Sequence, residues 1–545
     1  MMPANTLENG AVDGYVGRNV ELDVAADFSA NALVAAAARC REAVHIFRSE
    51  PTGRIGVSFG DRVDALANDY SHVASLPGVY PEWLGSSEFL ETHGVRFPYT
   101  SGAMAHGIAS PRLVLAMARS ELLAFYGSAG VAPSDVEANI LAIQSELANT
   151  GASWGSDLIH TPHDPTIEDT LVDLYLRHQV RRVSASAFMR LTPAVVRYAC
   201  TGLSLAPDGT IRRANHLFAK LSRAETARLF MAPAPAEIVS ALVQRGLLSE
   251  REATLAAHVP LAGDITVEAD SGGHTDNRPL TALLPALFEL RAELQATHRF
   301  ARAIRIGAAG GIGTPGGVAA AFGLGAAYVM TGSTNQASVE AGTSELAKEM
   351  LAAAELTDVA MAPSPDMFEM GVKVQVLKRG TMFAGRASLL RELYRAHASL
   401  EDIPAETVAR IEREIFQRPL ADVWAETRGF FAGRDAREVE RAERDPKHKM
   451  ALVFRWYIGL ASHWAIQGVP GRKTDFQIWC GPAMGAFNRW AKGSFLADLP
   501  NRSVVQIALN LLEGAAVITR AQQFRSIGLP VPDAAFAYAP KPLAC

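Results

Sequence analysis

The sequence predicts an α/β fold: a (β/α)8 TIM barrel with a small N-terminal region and a helical C-terminal subdomain. Three observations predict it. From Phe97 onward, short β-type runs alternate with amphipathic stretches, the alternation that a parallel sheet covered by helices produces. The tally is about eight strands over about 240 residues, close to the usual size of that barrel. A glycine-rich turn stands where a seventh strand would meet its helix, and a second follows about twenty residues later, where such barrels build phosphate sites. An open doubly wound sheet is the alternative, because a strand count from one sequence is often off by about one or two.

Residues 1–95 have no clear alternation and few long apolar runs, and they read as an accessory region. The barrel is assigned to 96–340. Its expected strands are the run ending at Ala103, then 122–126, 157–160, 180–184, 216–220, 264–269, 303–308 and 327–331. Helices are expected at 111–119, 135–149, 167–178, 279–297 and 315–323. After about Glu340 the strand signals fade. Apolar residues recur at helical spacing over 405–416, 419–431 and 452–468, and 504–524 reads as a further long helix. Residues 341–545 are therefore expected to form a helical substrate or lid subdomain whose last helix returns to the barrel. Five of the seven tryptophans (Trp424, Trp456, Trp464, Trp479, Trp490) fall there, where packing is their ordinary use. The mixed run 433–449 reads as a solvated helix and loop, with Lys447 and Lys449 at its basic end open to an acidic partner.

Composition narrows the function. With 49% hydrophobic and 20% charged residues in 545, the chain can bury a sizeable core. A net charge of -5 argues against a general nucleic-acid binder, which needs a basic excess to displace counterions. The four cysteines, Cys40, Cys200, Cys480 and Cys545, lie far apart without a CxxC, so neither a zinc site nor a disulfide framework is indicated and a reducing cytoplasmic setting suits them. The first fifteen residues lack the basic-then-apolar order of a signal peptide. The uncharged stretch 306–339 is long enough to span a bilayer, but its glycines and Pro315 indicate a strand–turn–helix–strand unit instead, so no membrane span is expected.

Four motifs carry the chemistry. The run from Ile306 to Pro315 contains Gly310, Gly311 and Ile312 in a turn between strand and helix, where glycine lets backbone approach phosphate oxygens closely. Thr331, Gly332 and Ser333 form the second half of that cradle. A literal GxGxxG begins at Gly311, yet no acid stands before Glu340 to hold a ribose, so a dinucleotide fingerprint fails its own test. At the expected end of the sixth strand, Ser271-Gly272-Gly273-His274 places an imidazole behind a glycine pair, which makes His274 the candidate catalytic residue. Gly102, Ala103, Met104 and Ala105 at the first strand's exit suit the edge of a flat heterocycle as well as a plain tight exit. Lys220, a charged residue ending the fifth strand, suits either a ring-facing or a solvent-facing role.

Gly102–Ala105, Ser271–His274, Ala308–Gly313 and Thr331–Ser333, in that order along the chain, resemble the flavin-binding barrel of nitronate monooxygenases and FMN-type enoyl-acyl carrier protein reductases. The runs Tyr80–Gly85, Leu158–Pro162, Glu340–Ser344, Asp366–Gln375, Trp479–Gly485 and Gln506–Leu511 further resemble the PfaD-type, trans-acting enoyl reductases of polyketide and polyunsaturated fatty-acid synthases. The likeness runs from about Tyr80 to about Gly528. It implies bound FMN, NADPH as hydride source, and an α,β-unsaturated thioester on an acyl carrier protein domain, and it leaves a homodimer open. By analogy the FMN phosphate would sit on Gly310, Gly311, Gly332 and Ser333. The ring edge would lie along Gly102 to Ala105 and near Gly272 and Gly273, with Lys220 addressing it. Related barrels often carry asparagine at the third strand's end, where this chain has Asp157, which is therefore not counted among the site residues. The rivals are a nitronate monooxygenase-like flavoenzyme, against which the long C-terminal region speaks, and a purine-nucleotide dehydrogenase, which needs a cysteine that is absent between Ala301 and Gln375. A non-catalytic carrier-docking protein that kept the barrel is the third.

Overall fold

The computed structural model describes residues 26–60, 69–162, 164–365 and 367–544, so the N-terminal segment before residue 26, Asp366 and Cys545 lie outside the described residues. Two compact units divide the chain. One comprises the described residues up to Tyr80 with Ala516–Tyr538; the other comprises Pro81–Ala515 with the residues from Ala539 onward.

In the smaller unit, Val44–Ser49 pairs antiparallel on one side with Ile55–Phe59 and on the other with Tyr70–Leu76. Alternation is missing from the central strand because both of its faces are covered: Val44, His45, Ile46 and Phe47 are all buried. This is why the sheet is invisible to a period-two reading. Fully buried Arg520 donates to the carbonyls of Cys40 and Glu42 at 3.1 and 3.2 Å.

The larger unit holds the barrel. Its eight strands are Tyr99–Ser101, Leu123–Tyr126, Gly155–Ile159, Arg182–Ser186, His216–Leu221, Asp264–Glu268, Arg305–Ala309 and Val329–Thr331. They pair in parallel in chain order, and the eighth closes on the first. The expected strand ends differ by about two residues or fewer, within the usual ambiguity of such boundaries. The uncharged stretch is part of the seventh and eighth strands and the helix Pro315–Gly323 between them. Four covering helices start alike: Ser110, Asp164, Thr192 and Thr314 accept a first-turn N–H, and proline follows each. Proline in that position forfeits only a donor that has no intrahelical partner.

Leu123, Phe125, Phe218, Tyr328 and Met330 fill the interior with Phe89 from the helix Ser87–His93. Two glycines make room for the rings. A Cβ at Gly155 would lie 2.6 Å from Phe125, and one at Gly307 2.4 Å from Tyr328. Phe89 stacks on Tyr328 at 4.5 Å, and beside it at the strands' N-terminal ends lies a buried polar cluster. There Arg305 gives Asp264 two hydrogen bonds of 2.7 Å, and His93 Nε2 lies 3.1 Å from Asp264 Oδ2. Burial would raise the Asp264 carboxyl, but His93 and Arg305 beside it outweigh that and hold the group well below the usual carboxylate range. Burial pushes the neighbouring His216 down to about 3, with the nearby His93 adding to the shift, and lowers His93 as well.

Strand signals do not end at Glu340 as expected. Val359–Pro363 and Lys373–Leu377 pair antiparallel, and Gly273–His274 adds to the outer edge of the latter. These strands escape a period-two reading because Val374, Gln375, Val376 and Leu377 are buried consecutively. The helices Phe383–Ala396, Leu420–Ala432 and Pro446–Gln467 pack a second core around Phe368, Phe383, Leu390, Phe416 and Phe454. Trp424, Trp456, Trp464 and Trp479 lie partly buried against this core, and Trp490 against the barrel's. The basic end of 433–449 is not free for a partner. Lys447 donates to the carbonyls of Tyr394 and His397, and Lys449 pairs with Glu401 at 3.3 Å. Among the described residues, one helix, Val504–Ser526, is long and apolar enough to cross a membrane, and 78% of its apolar window is buried within the protein.

Stability should fall on mild acidification. The folded state holds His216 and His93 below the unfolded histidine value of about 6.5, so their neutral forms favour folding above that pH, and the contribution is lost as pH drops from there toward about 3. Asp264 adds to the loss only below about pH 4, where the unfolded carboxylate takes up its proton. Thermal melting followed by circular dichroism should show a lower Tm at pH 4.5 than at pH 7. In His216→Gln the drop should be smaller; an unchanged drop would refute this assignment.

Candidate active site at the barrel mouth

The C-terminal ends of the strands gather the expected residues on one rim. At the seam, the Gly102 N–H donates to the Thr331 carbonyl at 2.9 Å. Asn335, fully buried, donates to Ser101 Oγ and Thr331 Oγ1, each at 2.9 Å, while Tyr99 OH meets the same Thr331 hydroxyl at 2.5 Å. The Thr331 side chain is therefore spent on the seam, and only its backbone faces the expected cradle. Ile312 is likewise buried in the barrel core and offers backbone alone. Met104 fixes its loop through its carbonyl, which accepts from Ala109 at 3.1 Å and would lie 1.8 Å from a Cβ at Gly127. Asn335 was not anticipated, although its place four residues after a strand-end threonine is the signal that would have found it.

The two glycine turns come together at the ends of the seventh and eighth strands. Gly310 and Gly311 both adopt left-handed backbone, with φ of +83° and +70°. A Cβ at Gly310 would strike the backbone of Ala269 at 2.7 Å, whereas one at Gly332 would meet open space. Ser333 opens the short helix Ser333–Gln336, whose first N–H groups have no intrahelical acceptors. Its hydroxyl accepts the Gly481 N–H at 3.0 Å, so a C-terminal segment closes on this edge of the mouth.

That segment also explains the glycine pair. A Cβ at Gly272 would lie 2.9 Å from the Cys480 nitrogen, and one at Gly481 would lie 2.8 Å from the Gly272 nitrogen. Gly272 thus lets the backbone of the Cys480–Gly481 segment lie flat against it. Gly273, with φ +81°, carries the chain past Trp479. The loop is pinned from below. Gln375 donates to Asp270 Oδ1 at 2.7 Å and to the Ser271 carbonyl at 2.8 Å, and Asn277 donates to both Gln375 and Asp270 at 3.0 Å. His274 follows on the small sheet, half-buried, with Nε2 3.1 Å from Ser364 Oγ. It sits on a rigid edge with its imidazole tied to a hydroxyl.

Lys220 is paired. Its Nζ lies 2.6 Å from both oxygens of Glu268 at the end of the adjoining sixth strand, and Glu268 Oε1 also accepts the Ser271 hydroxyl at 3.0 Å. Asp157 lies beneath the rim, where its Oδ1 accepts the N–H groups of Ser128 and Ala129 at 2.7 and 3.1 Å. Burial pushes its carboxyl up against those hydrogen bonds, so the residue is a buried anchor for the second strand's exit. Two further histidines frame the mouth. His160 Nδ1 lies 2.9 Å from Glu168, which also accepts from Thr161 and Thr192. His106 stacks on Trp479 with planes 7° apart and faces His463 at 4.8 Å; burial, then the His463 charge, push it down to about 4. Glu268, His160 and His106 were not foreseen as site residues: Lys220 lies 48 residues before Glu268, the rings against His106 come from the C-terminal region, and Glu168, though only 8 residues from His160, meets it across a turn from strand to helix.

Known proteins bear on this geometry. The solved enoyl reductase domain of MlnA, from the macrolactin biosynthesis cluster of Bacillus amyloliquefaciens, is 37% identical, covering 82% of this chain and 99% of that domain with a TM-score of 0.78. A component of the polyunsaturated fatty acid synthase of Thraustochytrium is 45% identical over 84% of this chain, and polyketide biosynthesis protein PksE of Bacillus subtilis 43% over 81%. The chain spans only 31% and 57% of the length of those two relatives. Residues 397–476 match a family described as acyl-carrier-protein S-malonyltransferase, inserted helical domain. Barrel, rim and likeness together define the class: a TIM-barrel oxidoreductase. Within that class, the chain belongs to the PfaD-type enoyl reductases.

Substituting Gly272 with valine should pry the Trp479–Pro482 segment from the loop, since the added carbons meet backbone that cannot rotate away. Destabilisation of about 1–3 kcal/mol is expected from such overpacking, together with a shift in tryptophan fluorescence. Unchanged denaturant melting would show that the two segments are not interlocked.

Proposed function

We propose that the protein is an FMN-dependent enoyl reductase that uses NADPH to reduce the α,β double bond of acyl thioesters borne on a carrier protein. The observation that carries this is the pairing of the glycine cradle with the Gly-Gly-His loop on one rim, in a chain of the enoyl reductase family.

The residues present fit a flavin phosphate. Gly310 and Gly311 are left-handed, the space over Gly332 is open, and a helix begins at Ser333, a lining of glycine backbone suited to phosphate oxygens. Gly310, Gly311, Gly332 and Ser333 would hold the phosphate, and the exit from Gly102 to Ala105 would flank the ring. FMN, when bound, supplies the relay of electrons from NADPH to the double bond. The chain's own task is to hold the thioester against that relay and to manage the proton. His274 is suited to polarise the thioester carbonyl or to deliver a proton to the α-carbon, because its sheet edge is fixed and Ser364 orients its ring. Likeness of 397–476 to an insert named for an acyl-carrier-protein transferase supports a carrier-borne substrate.

Purified protein, reconstituted with FMN where needed, should show flavin absorption that bleaches when NADPH is added without oxygen. A protein that stays colourless after reconstitution sinks this function. His274→Ala should keep the flavin spectrum and its bleaching yet lose about 10²-fold or more in turnover of an enoyl thioester, the scale of a general acid–base group. Equal turnover would remove His274 from the chemistry.

A further inference from the structure

The mouth holds one ion pair whose purpose the fold does not require. Lys220 stands one residue before the end of the fifth strand and Glu268 ends the sixth; the two strands are already in register from Phe218–Asp264 to Leu221–Val267, and their backbone pairing stands without the side chains. The side chains nevertheless meet at 2.6 Å through both carboxylate oxygens, with side-chain exposures of 22% and 15%. They are shielded from bulk water but not sealed, so their charges act strongly on anything bound at the rim. Glu268 further accepts from Ser271, the first residue of the loop that leads to His274. Asp157, the other anion acting on Lys220, has its Oδ1 engaged by Ser128 and Ala129.

We propose that Glu268 is a positioning residue. It holds the Lys220 ammonium at the mouth and cancels its charge, so that the pair sets the electron affinity of the bound flavin. This rests on the FMN reading above. The physical reason is the charge difference between the cofactor's two oxidation states. The reduced flavin carries more negative charge than the oxidised one, so an uncompensated cation beside it favours reduction and an uncompensated anion opposes it. Because the pair is neutral as a whole, removing either half should move the potential, and in opposite directions.

The test is a set of equilibrium reduction potentials measured on FMN-loaded protein by dye-coupled titration. Glu268→Gln should raise the potential and Lys220→Met should lower it. Each shift should correspond to about a tenfold change in the ratio of reduced to oxidised FMN affinity, or about 30 mV for a two-electron couple. The double variant, again neutral, should return close to the wild type. Should Glu268→Gln fail to fold, the Lys220→Met shift still decides the sign. Shifts of one sign, or none, in variants that bind FMN would overturn the proposal while leaving the reductase reading intact. Failure of the wild type to bind FMN would overturn both.

Discussion

Closure of the barrel between the eighth strand and the first is the constraint on which the mouth depends. Val329, Met330 and Thr331 pair with Tyr99, Thr100 and Ser101, and the buried Asn335 locks the seam through Ser101 and Thr331. A parallel sheet gains no rigidity from hairpins, so its last pairing has to be secured by long-range contacts. Here the securing groups are polar and buried, which makes them expensive to leave unpaired and fixes one geometry. The strand exits that follow, at Gly102 on one side and Gly332 on the other, inherit that geometry.

The rim is then completed from outside the barrel. The segment around Cys480 and Gly481 fits against Gly272 with no room for a Cβ on either side, and reaches Ser333 by a hydrogen bond. The small sheet contributes Gln375, which holds the Gly-Gly-His loop from beneath. The region after the eighth strand therefore shapes the site as well as covering it, and His274 owes its fixed place to a strand that pairs with it from about a hundred residues away. Such support from a second layer of contacts is what holds functional groups to productive geometry.

At the mouth the charge of Lys220 is balanced by Glu268, His160 lies against Glu168, and Asp157 is satisfied by backbone donors. At the opposite end, Asp264 is held by Arg305 and His93 under the Phe89 ring. Both ends of the barrel carry buried polar networks. The lower network joins strand starts and bears on stability, and the upper one borders the place where chemistry is proposed.

Local pattern alone disclosed the eight strands, the helices at Pro111–Arg119, Pro165–Arg177 and Pro315–Gly323 but not the one at Pro193–Cys200, and the glycine turns, because each of those it found is written in contiguous residues with a period or a turn preference. The sheet at Val44–Ser49 and the strands after Glu340 stayed hidden because burial on both faces erases alternation. His274, Lys220 and the glycines of the cradle were legible as candidates. That Lys220 is paired, that Thr331 and Ile312 turn their side chains away from the cradle, and that Gly272 receives Cys480 were not. The sequence by itself determined the barrel and the strand ends on which the site stands. Only the tertiary structure decided which side chains at those ends remain available to a ligand, since their partners come from other strands and from the distant C-terminal segment, and no local pattern encodes a contact between residues so far apart.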